Sequence, residues 1–223
     1  PDVGDAEPYP WIDLEARKQR DPAAEAVGWA ALRQGRVAAM LMAGGSGTRL
    51  GWDAPKGTYV VLPHSQRSLY EIHARKVARM AERAGRSIPF VVMLSDETYE
   101  PTRAFFEEKR WFGLDPDEVF LFTQGALPAV DDQGNVLLAA ADRLTAFPDG
   151  HGGIYRAMYR SGVMDALRDR GISEVFLFQV DNPLVPILDP AFLGYHLGKE
   201  SELSFLASRK NAPEEKVGVF AIS

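Results

Sequence analysis

The sequence predicts an α/β domain in which one twisted sheet carries helices on both faces. Three observations lead there. From Val37 onward, short apolar runs alternate with amphipathic stretches, the pattern of strands and helices taken in turn. The first of those runs passes directly into a glycine-rich turn. With 223 residues, 46% hydrophobic and 25% charged, the chain is long and apolar enough to bury one substantial core, and nothing in its composition suggests disorder or a fibre.

Residues 1–35 are polar and alanine-rich and read as an N-terminal helical appendage, with a helix over 22–33 after the candidate cap Asp21. The main domain is expected over 36–223, with strands at 37–42, 90–94, 119–122, 175–180, 203–207 and 217–222. Residues 68–84 place Leu69, Ile72, Val77 and Met80 among basic residues, which suits a surface helix packed on the sheet. A second helix is expected over 97–110, capped by Ser95 or Asp96, and a third over 154–170, ending at Gly171. No internal repeat or low-complexity segment interrupts this order. The last apolar run reaches Ser223 with no closing helix or polar tail, as expected of a chain cut from a longer protein.

A formal net charge of −6 argues against a general nucleic-acid surface, which needs a basic excess, so any phosphate binding must be local. The absence of cysteine excludes a disulfide framework, a thiolate zinc site and a cysteine nucleophile. No apolar run approaches membrane-spanning length. Asp2, Asp5 and Glu7 among prolines do not make a secretory signal, and a cytoplasmic location is expected.

The most informative segment is Leu41-Met42-Ala43-Gly44-Gly45-Ser46-Gly47-Thr48-Arg49-Leu50-Gly51, followed by Pro55-Lys56-Gly57. Glycines let the backbone approach a ligand and aim several N–H groups at phosphate oxygens, while Arg49 and Lys56 supply positive charge. A Walker loop is excluded because no Gly-x-x-x-x-Gly-Lys-Ser/Thr string exists. The dinucleotide pattern is excluded because Leu50 stands where its third glycine belongs. The ordinary alternative is a flexible loop whose Arg49 and Lys56 are merely solvated; two cations at this spacing weigh against it.

This string resembles the signature of the eukaryotic-type UDP-sugar pyrophosphorylases (UDPGP type 1), the UDP-N-acetylglucosamine members most of all. The resemblance continues through Phe105-Phe106, Phe112-Gly113-Leu114, Gln124-Gly125, Leu127-Pro128-Ala129, Pro148-Asp149-Gly150, Gly152-Gly153, Tyr155-Arg156-Ala157, Val180-Asp181-Asn182 and Lys210 to Val217-Gly218-Val219. It covers residues 37–220, roughly. The fold it implies is a Rossmann-like, GT-A-like nucleotidyltransferase of three α/β/α layers with a mixed, mainly parallel sheet. The activity it implies is transfer of a uridylyl group from UTP to a sugar 1-phosphate, above all N-acetylglucosamine 1-phosphate, with release of pyrophosphate and Mg²⁺ as cofactor. Family members are about twice as long and carry a further C-terminal domain.

The resemblance assigns Arg49 and Lys56 to catalysis and Met42, Ala43, Gly44 and Gly45 to substrate binding. Gln124 follows an apolar run, and its carboxamide can both donate to and accept from a uracil edge, the contact made by the matching family glutamine. By position alone it is an ordinary polar turn residue. Residues 148–153 read as a turn and helix start; in the family this loop, with Pro148, Gly150 and His151, lies against uridine and sugar. His151 replaces the asparagine usual in N-acetylglucosamine members and resembles the glucose and broad-specificity ones. Asp181 and Asn182 end a buried run, where open sheets bind ligands, and an aspartate there can hold Mg²⁺. The competing explanation is an Asx turn before Pro183. Lys210 matches a sugar-side lysine of the family, though lone lysines are usually surface residues. The rival functions are a glucose or broad-specificity enzyme, a nucleotidyltransferase that uses a different base, and a noncatalytic UDP-sugar sensor or subunit, and the sequence leaves the oligomeric state open.

Overall fold

The computed structural model describes residues 7–8, 11–12, 21–208, 210–212, 214–215 and 221–222, except for the side chains of residues 7, 8, 49, 151, 221 and 222. Four strands, β1 (Val37–Met42), β2 (Phe90–Leu94), β3 (Val119–Thr123) and β4 (Glu174–Gln179), form one sheet in the order β4-β1-β2-β3. All three pairings are parallel. β1 and β2 are apolar throughout, as parallel strands covered on both faces must be.

The alternation of side chains across the sheet divides the core in two. Val37, Ala39 and Leu41 join Phe90, Val92, Leu94, Phe176 and Phe178 on one face. There they meet α1 (Pro22–Gln34), α2 (Leu69–Ala84) and α3 (Asp96–Glu108) through Leu32, Tyr70, Val77 and Phe106. Ala38, Met40, Val91, Met93 and Phe122 turn to the other face, under Ile154, Met158, Val163 and Leu167 of α4 (Ile154–Arg160) and α5 (Val163–Asp169). α6 (Pro190–Gly198) adds Leu193 to the first face. The result is a three-layer α/β/α fold with short antiparallel ribbons beside the sheet, among them Ala126–Pro128 with Ala146–Pro148 and Val60–Leu62 with Arg67–Ser68.

Capping explains the helix starts. Asp21 accepts from the N–H groups of Ala23 and Ala24, Ser68 from Glu71, and Ser95 forms a capping box with Thr98. α1 lies on α6 at two glycines: a Cβ on Gly28 would strike the Pro190 backbone, and one on Gly194 the Ala24 backbone. Tyr195 Oη also donates to Asp21 Oδ2 at 3.1 Å.

Three expectations require correction. The helix expected over 154–170 is two helices, because Gly162 sits at φ 76° between them in the left-handed region. The helix expected over 97–110 stops at Glu108. Arg110, Trp111 and Phe112 take positive φ, which brings the Trp111 and Phe112 rings to 5.9 and 5.1 Å from Phe106. No strand forms over 203–207. That segment makes no ladder to β4, and Leu203, Phe205 and Leu206 are exposed. Of the strand expected at 217–222, residues 217–220 lie outside the described residues, while Ala221–Ile222 pair antiparallel with Glu7–Pro8. No helix among the described residues is long and apolar enough to cross a membrane.

The α1–α6 contact reverses an ordinary propensity rule. Alanine in a helix is usually about 1 kcal/mol better than glycine, but Gly28→Ala is expected to destabilise the fold by about 1–3 kcal/mol through the backbone clash. Gly198→Ala, with open space around it, serves as the control. Chemical denaturation of the two variants measures the difference.

Candidate active site

The strand order reverses beside β1, with β2 and β3 laid down to one side and β4 to the other. In an open parallel sheet the ligand crevice lies beyond the carboxyl ends at that reversal. Met42 is opposite Gln179, and Val180 N–H extends the ladder by donating to the Met42 carbonyl at 3.1 Å. On the other side Ala43 N–H donates to Met93 and Gln124 N–H to Leu94, at 2.8 and 2.7 Å. Met42 and Ala43, Gln124, and Asp181 with Asn182 therefore leave the sheet at one edge.

The glycine loop folds back on itself. Lys56 N–H donates to the Gly45 carbonyl at 3.1 Å and Gly47 N–H to Ala54 at 2.9 Å, with Trp52 packed over Gly47. The N–H groups of Gly44 and Gly45 make no hydrogen bond among the described residues. This return carries the Lys56 ammonium to 3.1 Å from Asp181 Oδ2. The lysine side chain is 23% exposed and the carboxylate 52%, and an ion pair so open to water stabilises a fold by roughly 0–1 kcal/mol. Arg49 lies in the turn Thr48–Leu50 of the same loop, with its side chain outside the described residues.

Gln124 rests its amide on Gly44: a Cβ there would be 2.5 Å from Gln124 Nε2. Pro148 pairs with Ala126, and Asp149 N–H donates to the Gly125 carbonyl at 3.0 Å, so Pro148 and Gly150 arrive next to Gln124. The Asp149 carboxylate lies against the backbones of Gly125 and Gly153, and its Oδ1 is buried without a hydrogen-bond partner among the described residues. His151 follows in a short turn, its side chain outside the described residues. The Asn182 side-chain oxygen accepts from Leu184 N–H at 3.2 Å, so the Asx turn anticipated from Pro183 does form. Lys210 is exposed in the irregular chain beyond α6.

Beneath the two loops runs α2, which sequence reasoning treated only as a packing helix. The Tyr70 ring fills the space a Cβ on Gly57 would need, and its hydroxyl lies 3.1 Å from Thr102 Oγ1. Burial pushes the Tyr70 phenol far above its usual range. His73 is fully buried and its Nε2–H donates to the Val180 carbonyl at 2.9 Å. Burial also pushes the imidazole pKa down, against the raising effect of that hydrogen bond. Lys76 Nζ donates to the carbonyls of Pro183 and Val185 at 2.5 and 2.9 Å. The sequence signal for these roles is a histidine amid the apolar positions of an amphipathic helix, which marks burial but not its partner.

No group of three His, Cys, Asp or Glu among the described residues forms a cage for a metal ion. The half-exposed Asp181 beside a phosphate-type loop does suit Mg²⁺, which is commonly held by one or two carboxylates together with substrate phosphates.

The sequence profile described as UTP–glucose-1-phosphate uridylyltransferase (UDPGP) matches residues 13–222. The UDP-N-acetylglucosamine diphosphorylase 2 of Arabidopsis thaliana is 38% identical over 205 residues, covering 87% of this chain and 41% of the relative. The UDP-N-acetylglucosamine pyrophosphorylase of Saccharomyces cerevisiae is 39% identical over 199 residues, covering 87% and 42%. A solved structure of the Trypanosoma brucei uridine diphosphate N-acetylglucosamine pyrophosphorylase in complex with inhibitor superposes with a TM-score of 0.88 at 32% identity, over 97% of this chain and 47% of that one. The chain thus spans about two-fifths of the length of the curated relatives it matches.

The contact between Gly44 and Gln124 yields a direct test. Gly44→Ala is expected to push the amide aside and, for a ligand that the amide holds, to weaken binding by roughly tenfold, the worth of a net hydrogen bond or two. Isothermal titration calorimetry measures the loss, and an unchanged melting temperature shows the fold intact.

Proposed function

The chain belongs to the UTP–glucose-1-phosphate uridylyltransferase family, and from that premise we propose that it is the nucleotide-binding part of an enzyme that joins UTP and a sugar 1-phosphate into a UDP-sugar, releasing pyrophosphate. N-acetylglucosamine 1-phosphate is the favoured sugar substrate, in keeping with the names of the relatives at 38% and 39% identity. The observation that supports this most is the Lys56–Asp181 pair, 3.1 Å apart at the mouth of the glycine loop, with Gln124 against Gly44 beside it.

The reaction is an in-line attack by a phosphate oxygen of the sugar 1-phosphate on the α-phosphorus of UTP. The new P–O bond forms as the bond to the β-phosphate oxygen breaks, and pyrophosphate leaves with that electron pair. A phosphate monoester has a second pKa of about 6, so the nucleophile is ionised near neutrality and no general base is required. The difficulty is bringing two polyanions together while charge grows on the leaving group, so catalysis rests on positioning and fixed cations.

In this reading Gly44 and Gly45 direct their N–H groups at the phosphates, and Lys56 moves its positive charge from Asp181 to the reacting phosphate oxygens. The exposed ion pair is weak enough to be re-partnered at little cost. Arg49, from the same loop, supplies the second charge. Gln124, with Pro148 and Gly150, orients the base, and Met42 and Ala43 form the floor under it. His151, Asn182 and Lys210 are assigned to the sugar side. Asp181 would hold Mg²⁺, which when bound neutralises phosphate charge.

Assays of pyrophosphate release by the full-length protein, with UTP against N-acetylglucosamine 1-phosphate and glucose 1-phosphate, test the proposal. Turnover is expected with both preferences measurable and the acetylated sugar ahead; binding without turnover would identify a sensor instead. A glucose preference would follow the His151 signal. Lys56→Ala is expected to lower kcat by roughly 10²–10³-fold, as loss of a charge-stabilising donor does, with a smaller effect on the KM for UTP. Unchanged turnover in that variant would remove Lys56 from catalysis.

A further inference from the structure

We propose that one face of α2, carrying His73 and Lys76, is a clamp that positions Asp181 and Asn182 for the reaction. The proposal rests on the functional reading above and assigns roles to two residues outside its binding and catalytic set.

The two side chains are three positions apart, so they lie on the same helix face. His73 holds the Val180 carbonyl, immediately before Asp181, at 2.9 Å. Lys76 holds the carbonyls of Pro183 and Val185, on the far side of Asn182, at 2.5 and 2.9 Å. The segment containing the candidate metal ligand is therefore pinned at both ends, and its backbone cannot move without breaking bonds to a helix. That helix is itself fixed by Tyr70, Ala74 and Val77, all completely buried.

The same face reaches the other half of the ion pair. Tyr70, three residues before His73, packs its ring against Gly57 next to Lys56. One rigid element thus serves as the common reference for Lys56 and Asp181, which are 125 positions apart in the chain. A carbonyl buried at a loop needs only some donor, and water or a serine would serve for stability alone. Here a cation and an imidazole from the core helix are used, on three carbonyls that bracket two site residues. His73 and Lys76 are positioning residues: neither is placed in contact with substrate.

The test uses the full-length protein and four variants. His73→Leu and Lys76→Met remove the donors at similar volume, and His73→Gln and Lys76→Arg keep them. kcat and KM for UTP are measured, together with Mn²⁺ binding in the presence of UTP by electron paramagnetic resonance. His73→Leu and Lys76→Met are expected to lower kcat about 10- to 100-fold, the effect of misplacing a reacting group by up to an ångström. KM for UTP should change little, Mn²⁺ binding should weaken, and His73→Gln and Lys76→Arg should restore most of both. Folded donor-removing variants with wild-type kcat and wild-type Mn²⁺ affinity would overturn the clamp, as would losses of kcat that the donor-keeping variants fail to restore. If His73→Leu does not fold, the partly exposed Lys76 decides the matter through Lys76→Met. A wild-type protein that makes no UDP-sugar defeats the functional reading instead, and the Mn²⁺ titration then still decides on the clamp.

Discussion

The register between β1 and β4, with Met42 opposite Gln179, is the constraint on which the rest of the site depends. Side chains alternate across a strand, so a slip of one residue would send Phe176, Phe178 and Val180 from one face of the sheet to the other. These three belong to the larger core cluster with Leu41, Val77 and Leu94, and so the core excludes the slip. The same restriction determines which carbonyl meets His73 and which carboxylate meets Lys56. Hydrophobic packing at the middle of the sheet thereby decides polar geometry at its end.

That polar geometry contributes little to stability. The Lys56–Asp181 pair is too exposed to add more than about 1 kcal/mol. Asp149 Oδ1 is buried without a hydrogen-bond partner among the described residues, and such a group costs the fold about 1–3 kcal/mol. Both features lie beyond the carboxyl edge of the sheet, on the side of Gly44 and Gly45, whose N–H groups make no hydrogen bond among the described residues. Away from this edge the helix starts are satisfied by caps at Asp21, Ser68 and Ser95 and the surface carries ion pairs such as Arg75–Glu71, while His73 Nδ1 and Glu118 Oε2 are further buried atoms with no hydrogen-bond partner among the described residues. In the proposed reading, the N–H groups of Gly44 and Gly45 and the weakly paired Lys56 are what this chain, with its formal net charge of −6, offers the phosphates at that edge.

Much of this was legible in the sequence, because it is governed by local patterns. The runs that became β1 to β4 are short and apolar, and the capping residues precede their helices. The loop from Met42 to Gly57 stood out because glycine and cation spacing carries its own physics. What failed depended on distant partners. Residues 203–207 have the composition of a strand but no ladder to join, and residues 154–170 have a helical pattern that a single glycine at φ 76° divides. Asn182 serves the Asx turn that was set against its binding role, and both uses remain compatible because the turn engages only the side-chain oxygen. His73 and Lys76 escaped notice because their partners are backbone carbonyls more than a hundred residues away, and a carbonyl leaves no trace in sequence.

The supports of the site differ in stiffness, and the difference suits the chemistry proposed. Lys56 and Asp181 are referenced to the sheet and to α2, whose inner face is completely buried. Gln124 is tied to β2 through its backbone, but Pro148 and Gly150 sit on a ribbon whose Leu127 and Phe147 are about 60% exposed. Transfer between phosphates is sensitive to small displacements of the reacting atoms, because alignment is most of what the protein contributes. Recognition of a base edge by one or two hydrogen bonds tolerates adjustment, since each adds only about 1 kcal/mol and can re-form after a small shift. In the proposed reading, a rigid phosphate side and a more open base side follow from the same requirement, that geometry be held tightest where the bond is made.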